Sequence, residues 1–493
     1  MFLFSMFLFS ISSLVPSLFL FRFCFKFIFS LVVASLFWSS EVLYAKDLKV
    51  EAGDLLNPAS GGETTSHLSS IRAFNTPASN ILKTTHSKGE PAHDLLFQVG
   101  NSIFASPWVA AGSTTVTRDG LGPIFNANSC ESCHIHDGKG SLPSSGEAGL
   151  LVRVSVGNDP LKGPIAHPVY GGQIQDKAVI GVPAEALVVV SYTDVKGKFK
   201  DGTAYTLRKP KIEFKKPGYG PIPEDILRSA RLAPHMVGLG LLENIPRATI
   251  SKLEDPADKD QDGISGRANQ VKDHVTGKKV MGRFGWKAEM PTVIQQSVGA
   301  FKGDLGITSP VFRKDTCTAS QKKCLSSPNG GSPELTRKQM DRLEVYTKLI
   351  AVPARRNLEN KEVRDGAKHF LDLGCHKCHV PKMKTGVDQR FPELSNQTIF
   401  PFTDLLLHDM GEGLSDGRDA YLANGNEWKT PPLWGIGLVK KINPNAGFLH
   451  DGRARTLEEA VLWHGGEAES SREKYKSLSL RERRSLISFL NSL

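Results

Sequence analysis

Two copies of one short pattern constrain this chain more than anything else in it: Cys130-Glu-Ser-Cys133-His134 and Cys375-His-Lys-Cys378-His379. Cys-x-x-Cys-His is the attachment pattern for c-type haem. Thiols at this spacing can add across the haem vinyl groups, and the following imidazole falls beneath the iron as proximal ligand. With 7 Cys and 14 His in 493 residues, chance would give on the order of 0.003 such patterns. Two are not accidental. Redox dithiols of the thioredoxin kind would sit in a βαβ pattern, which neither segment shows, and a zinc site built from both pairs leaves both histidines without a role. The chain is therefore expected to carry two covalently bound haem c groups. Cys130, Cys133, Cys375 and Cys378 would attach them, and His134 and His379 would be proximal iron ligands.

Export follows from the same chemistry. Met1 to Tyr44 is a strongly apolar stretch whose only charges are Arg22, Lys26 and Glu41. Arg22 and Lys26 read as a basic n-region, Phe27 to Trp38 as the apolar core, and Ala45 as the small residue at a cleavage site, so residues 1–45 are taken as a signal peptide. An uncleaved anchor is the alternative, since the stretch is long enough to span. Covalent haem attachment needs an extracytoplasmic compartment, which favours cleavage, a periplasmic location and no stable membrane span afterwards. The formal charge of +10 comes with no long basic run, so it reads as a dispersed solvated surface, with docking of an acidic partner as the alternative. No motif supports nucleic-acid binding. Cys317 and Cys324 are the two cysteines of the mature chain outside the haem motifs, and in an oxidising compartment they are expected to form a local disulfide.

The expected fold is mainly α: two cytochrome-c-like haem domains, the N-terminal one enlarged by a β-hairpin insertion. Residues 46–95, rich in Ser, Thr, Gly and Asn, read as a loosely structured lead-in. Residues 96–355 form the N-terminal haem domain and 356–493 the C-terminal cytochrome c domain, with the boundary in the polar run Arg355 to Lys361. Leu187-Val-Val-Val190, Tyr192 and Tyr205-Thr-Leu207 are β-favouring segments around Gly197 and Gly202 and predict the hairpin. Leu343, Tyr346, Leu349 and Ile350 show helical spacing that stops at Pro353. A short helix with Val363, Gly366 and Phe370 leads into Cys375. A terminal helix opens with the capping box Ser479-x-x-Glu482 and carries Leu486, Ile487, Leu490 and Leu493 on one face.

The distal side of each iron decides between electron transfer and peroxide chemistry. In the C-terminal domain a helix capped by Thr456 and Glu459 is expected to end at His464, before Gly465-Gly466. This makes His464 the leading sixth ligand, with His408 and Met410 competing and a solvated helix-terminal histidine as the plain alternative. The N-terminal domain offers His136, His167, His235 and Met236, none of which stands out. Glu243 lies in an apolar segment and is either a salt-bridged core residue or a proton-handling catalytic group. Asp258, Asp260 and Asp262, followed by Gly263, resemble the first half of a calcium loop. The twelfth position is Asn269 rather than Glu, which tips the balance toward a plain acidic turn over a calcium site.

Several further segments resemble, in order, the di-haem oxidoreductase family, whose members are described as peroxidases and sometimes as thiol oxidoreductases. They are Gly120-Leu-Gly-Pro-Ile-Phe-Asn126, Tyr170-Gly-Gly-Gln173, Met236-Val-Gly-Leu-Gly-Leu-Leu-Glu243, Asp262-Gly-Ile-Ser-Gly266, Arg283-Phe-Gly-Trp-Lys287, Asp404-Leu-Leu-Leu-His-Asp-Met-Gly411, Thr430-Pro-Pro-Leu-Trp434 and His450-Asp-Gly-Arg-Ala-Arg455. The resemblance runs from about residue 95 onward and extends to bacterial di-haem cytochrome c peroxidases. It implies that the distal ligand of the C-terminal haem lies fourteen residues after the His of a His-Asp/Asn-Gly motif; counted from His450, that residue is His464. The peroxidases usually carry Met there, so the histidine is a departure that would give a bis-His centre. It also implies an aromatic relay between the haems, with Tyr170 as first candidate and Trp286 as second, and places Glu243 near the distal pocket of the N-terminal haem. The implied activity is reduction of hydrogen peroxide, with electrons from a small donor protein such as a cytochrome c or a cupredoxin. A non-enzymatic electron-transfer cytochrome and a high-valent oxidant of a protein substrate are the alternatives.

Overall fold

Glycine at two helix crossings organises the scaffold. The computed structural model describes residues 50–83, 92–115, 117–142 and 149–493, so the expected signal peptide lies outside the described residues. The main helices are α1 (His93–Ala105), α2 (Val293–Leu305), α3 (Arg337–Leu349), α4 (Lys361–Asp372), α5 (Leu457–Trp463), α6 (Glu469–Ser477) and α7 (Leu480–Ser492). A Cβ on Gly100 of α1 would meet the Arg342 carbonyl oxygen of α3 within 2.3 Å, and one on Gly366 of α4 would meet the Ser485 carbonyl oxygen of α7 at 1.9 Å. Only hydrogen fits at these crossings. Each pair brings aromatics together: Phe97 and Phe104 pack on Tyr346, and Phe370 packs on Phe489.

The expectation of a mainly α class is corrected. The structure is 29% helical and 19% strand, and no large helical bundle is found among the described residues, so the class is mixed. The strands pair as eight two-stranded sheets among the described residues. Many have only two or three residues, too short to display an alternating pattern, and several pair across long stretches of sequence. Four strands are long or central enough to name: β1 (Leu150–Ser155), β2 (Leu187–Lys198), β3 (Ala204–Lys215) and β4 (Leu227–Leu232). β2 and β3 form the hairpin, antiparallel from Leu187 opposite Lys215 to Lys198 opposite Ala204. β4 pairs antiparallel with β1, a contact that no local pattern announces.

The hairpin tip docks on the C-terminal helices. The Lys200 amide donates to the Lys476 carbonyl, Arg483 pairs with Asp201 at 2.9 Å, and the Arg483 guanidinium lies 3.9 Å from the Phe199 ring centroid. Residues 50–493 form one compact unit. Its core runs unbroken past the polar segment Arg355 to Lys361, from Leu55 to Leu493, while Val152, Val154, Tyr170, Ile174, Ala186 and Ile226 form a second, smaller core. The helix expected to stop at Pro353 and the terminal helix both form, each with a complete capping box, at Thr336/Gln339 and Ser479/Glu482. Cys317 and Cys324 are disulfide-bonded. Among the described residues, no helix is long and apolar enough to cross a membrane.

Candidate functional site

The two Cys-x-x-Cys-His segments adopt the same turn. The His134 amide donates to the Cys130 carbonyl and the His379 amide to the Cys375 carbonyl, each at 2.9 Å. One helix of each crossing pair supports its motif. The Cys130 amide bonds the carbonyl of Phe104 in α1 at 3.1 Å, and α4 runs through Gly374, at φ 84°, into Cys375. None of the four cysteines is disulfide-bonded, and all four are half-buried. Burial pushes the thiols of Cys133 and Cys375 up to about 12.

Three imidazoles share one hydrogen-bond arrangement. His134 Nδ1 lies 2.7 Å from the Pro234 carbonyl, His379 Nδ1 lies 3.0 Å from Phe402 O, and His464 Nδ1 lies 2.7 Å from Ala460 O. A carbonyl only accepts, so in each ring Nδ1 carries the proton and donates it. Burial holds His134 and His379 down to about 4 and lowers His464 as well, leaving neutral rings with a free Nε2 lone pair. This is the tautomer of an iron-ligating histidine, fixed by the bond on the other nitrogen.

His379 and His464 line one cavity of ≈ 280 Å³ together with Cys375 and Cys378. Thr456 caps α5, and His464 sits at its C-cap, which aims the ring into the cavity. Phe370, Leu414, Leu457, Leu486 and Leu490 supply apolar wall. His408, the rival ligand, is spoken for at both nitrogens: Nε2 to Asp404 Oδ2 at 2.7 Å and Nδ1 to Glu467 Oε2 at 2.6 Å. Burial alone would discharge this ring, but Asp404 overrides it and holds His408 well above its ordinary value. An imidazolium has no lone pair for iron. Met410 also lines the cavity and lacks the carbonyl anchor that orients His464. Free thiols, neutral imidazoles with open Nε2 atoms and an apolar cavity fit a haem.

A single peptide segment joins the two sites. The Pro234 carbonyl holds His134, while Pro234 and His235 line the cavity of His379. Trp286 lines it too, donating from Nε1 to the Leu232 carbonyl at 2.9 Å, with its ring 6.5 Å from that of His450. Of the two relay candidates, Trp286 therefore stands at the junction. Tyr170 does not; it is buried in the second core, donating its hydroxyl to the Gly220 carbonyl. The Glu243 carboxylate pairs with Lys348 Nζ at 2.6 Å and accepts the Val293 amide at the start of α2 at 2.5 Å, and its side chain is 18% exposed; these are the partners that the salt-bridged alternative calls for.

The histidines in the N-terminal half divide. His136 faces Glu131 near the surface, His167 accepts the Val169 and Tyr170 amides, and His235 is buried with Nδ1 unpartnered. Asp258, Asp260 and Asp262 do converge, with ligand oxygens within 4.8 Å of one another. Asp258 accepts the Gly263 amide, however, and Lys377 Nζ sits 2.9 Å from Asp262 Oδ2. The Lys377 pair ties this acidic turn to the segment between Cys375 and Cys378. Sequence reasoning missed Lys139, Lys429 and the stacked Trp428–His450 pair, whose rings lie 3.6 Å apart at 10°. Lys139, close behind the first motif in Asp137-Gly-Lys-Gly140, carried a faint signal. Lys429 carried none.

No curated protein matches the chain. Among solved structures, hydrazine synthase from Kuenenia stuttgartiensis matches at 14% identity and a TM-score of 0.31, covering 83% of this chain and 95% of that one, a likeness too slight to carry an argument. The family described as "Di-haem oxidoreductase, putative peroxidase" matches residues 56–493. With that match over nearly the whole described chain, the chain belongs to the di-haem oxidoreductase family and is an oxidoreductase with haem cofactors.

Proposed function

We propose that this chain is an exported, periplasmic enzyme that reduces hydrogen peroxide to two waters with two electrons and two protons. The electrons come from a small donor protein such as a cytochrome c or a cupredoxin. They enter at the site of Cys375, Cys378 and His379 and pass to the site of Cys130, Cys133 and His134, both of which hold covalent haem. When bound, haem would supply an iron that exchanges single electrons and can react with peroxide.

One asymmetry carries this reading. The C-terminal site has two carbonyl-anchored imidazoles, His379 and His464, in one cavity. The N-terminal site has one, His134, and among the described residues no second imidazole anchored in this way accompanies it. The chain's residues then have distinct tasks. His379 and His464 would together hold the iron at the C-terminal site, which would suit that site to storing and passing electrons. Pro234, His235 and Trp286 form the wall through which the two sites communicate. The apolar residues around His379 exclude water and keep its ring neutral.

The test combines spectroscopy with turnover. Cyanide should perturb one of the two haems, in the oxidised or half-reduced protein, and peroxide should be consumed when a reduced donor is supplied. His464→Gly should convert the other haem from low to high spin, while His408→Gln should leave ligation unaltered. Two haems that refuse cyanide in every redox state, with no peroxide consumption, would make the chain an electron carrier instead. An unchanged low-spin signal in the His464 variant would move the sixth ligand to Met410.

A further inference from the structure

Of the four buried lysines among the described residues, Lys287 and Lys348 are paired with carboxylates and Lys139 and Lys429 are not. Lys139 is 4% exposed and Lys429 is 8% exposed, and both line the cavity of Cys375, Cys378 and His379. Among the described residues, no carboxylate lies within ion-pair distance of either ammonium. Lys139 Nζ lies 5.1 Å from the Trp286 ring centroid, and Lys429 Nζ has a single 3.3 Å contact, to the Thr430 carbonyl. The cavity's guanidinium groups are committed elsewhere. Arg283 donates to the carbonyls of Leu242, Glu243 and Ile245, and Arg472 pairs with Glu469 and Glu473. Beside the lysines, His235 is buried with its Nδ1 unpartnered. Burial lowers both ammonium groups to about 8, against the more distant pull of Asp451 on Lys139 and of Asp404 on Lys429; those carboxylates are themselves bonded to Arg453 and to His408.

An uncompensated buried cation is costly unless an anion meets it. A haem brings two carboxylates, on the porphyrin edge opposite the vinyl groups that cysteines use. We propose that Lys139 and Lys429 are the paired anchors for the two propionates of the haem attached at Cys375 and Cys378. This rests on the reading of the cavity as a haem site. It also gives Lys139 a second meaning. Lys139 lies five residues after His134, in the loop of the first motif, so the N-terminal haem segment supplies a charge that neutralises the C-terminal haem. These are positioning residues: they touch the carboxylates of the cofactor and not the iron.

The experiment uses the purified protein with both haems bound. Lys139→Met and Lys429→Met are compared with wild type by potentiometric titration, with the two haems distinguished by their spin states, and by redox-induced infrared difference spectra of the carboxylate bands. Removing a cation beside a propionate favours the ferric form. Each variant should therefore shift the ferrous–ferric balance of the His379 haem at least tenfold toward ferric, about 59 mV for one electron. The infrared propionate bands should move, and the N-terminal haem should hold its potential. Lys429→Gln provides the same test if the methionine variant does not fold. Potentials and carboxylate bands equal to wild type in folded variants would overturn the proposal, as would a shift confined to the N-terminal haem. A wild-type protein that holds no haem at Cys375 and Cys378 would overturn the haem-site reading itself, and haem content measured first separates the two failures.

Discussion

Replacing Cys130 and Cys133 together with alanine should halve the covalently bound haem and leave the other half in place. The two motifs sit on different helix pairs, one held by the Phe104 carbonyl of α1 and the other following α4 through Gly374, so loss of one should not dismantle the other. The matching Cys375→Ala and Cys378→Ala variant should lose the complementary half. Intact mass and haem staining after denaturation give the count, because thioether-linked haem survives unfolding and non-covalent haem does not. The paired variants are also the sharpest separation from a dithiol enzyme: a redox dithiol would leave the haem content untouched. Haem that is released entirely into acidified organic solvent from the wild-type protein would sink the prediction.

The second large effect should come from a residue that touches no haem. At Gly366 an added Cβ would lie 1.9 Å from the Ser485 carbonyl oxygen, 2.6 Å from its carbonyl carbon and 2.7 Å from Phe489 Cβ. The nearest obstacles are backbone, which cannot rotate aside, so α4 and α7 would have to separate. Overpacking of an ordinary core site costs about 1–3 kcal/mol, and a backbone obstacle puts Gly366→Val at or beyond the upper end. The damage should reach the haem site because α4 leads into Cys375 and the packed rings of Phe370, Phe402 and Phe489 lie behind His379. Denaturant unfolding should show the lost stability, and the visible spectrum should show mixed spin at the C-terminal haem. Gly172→Ala, where an added Cβ meets nothing within 4 Å, is the control. A Gly366→Val protein with a wild-type unfolding midpoint would refute the crossing as described.

What could be read from the sequence was what is local. The haem motifs, the cap at Ser479 with Glu482, the helix ending at His464 and the β2–β3 hairpin all depend on residues a few positions apart, and all form. The mixed class was not legible, because pairings such as β1 with β4 depend on partners far away in the chain, and a two-residue strand has no period to detect. Glu243 shows the same limit at a site. Its apolar neighbourhood was visible, but Lys348 and the Val293 amide, which engage its carboxylate, are brought to it only by the fold. Lys429 is a further case. On an alternating Glu427-Trp428-Lys429 strand a lysine reads as solvent-facing, yet here it is buried.

Leu486 and Leu490 of α7 form part of the wall around His379, although they lie far downstream of Cys375. If haem is attached at Cys375 and Cys378 as proposed, the segment that carries it and part of the wall that covers it lie about a hundred residues apart in the chain, so the site is complete only once α7 has packed on α4.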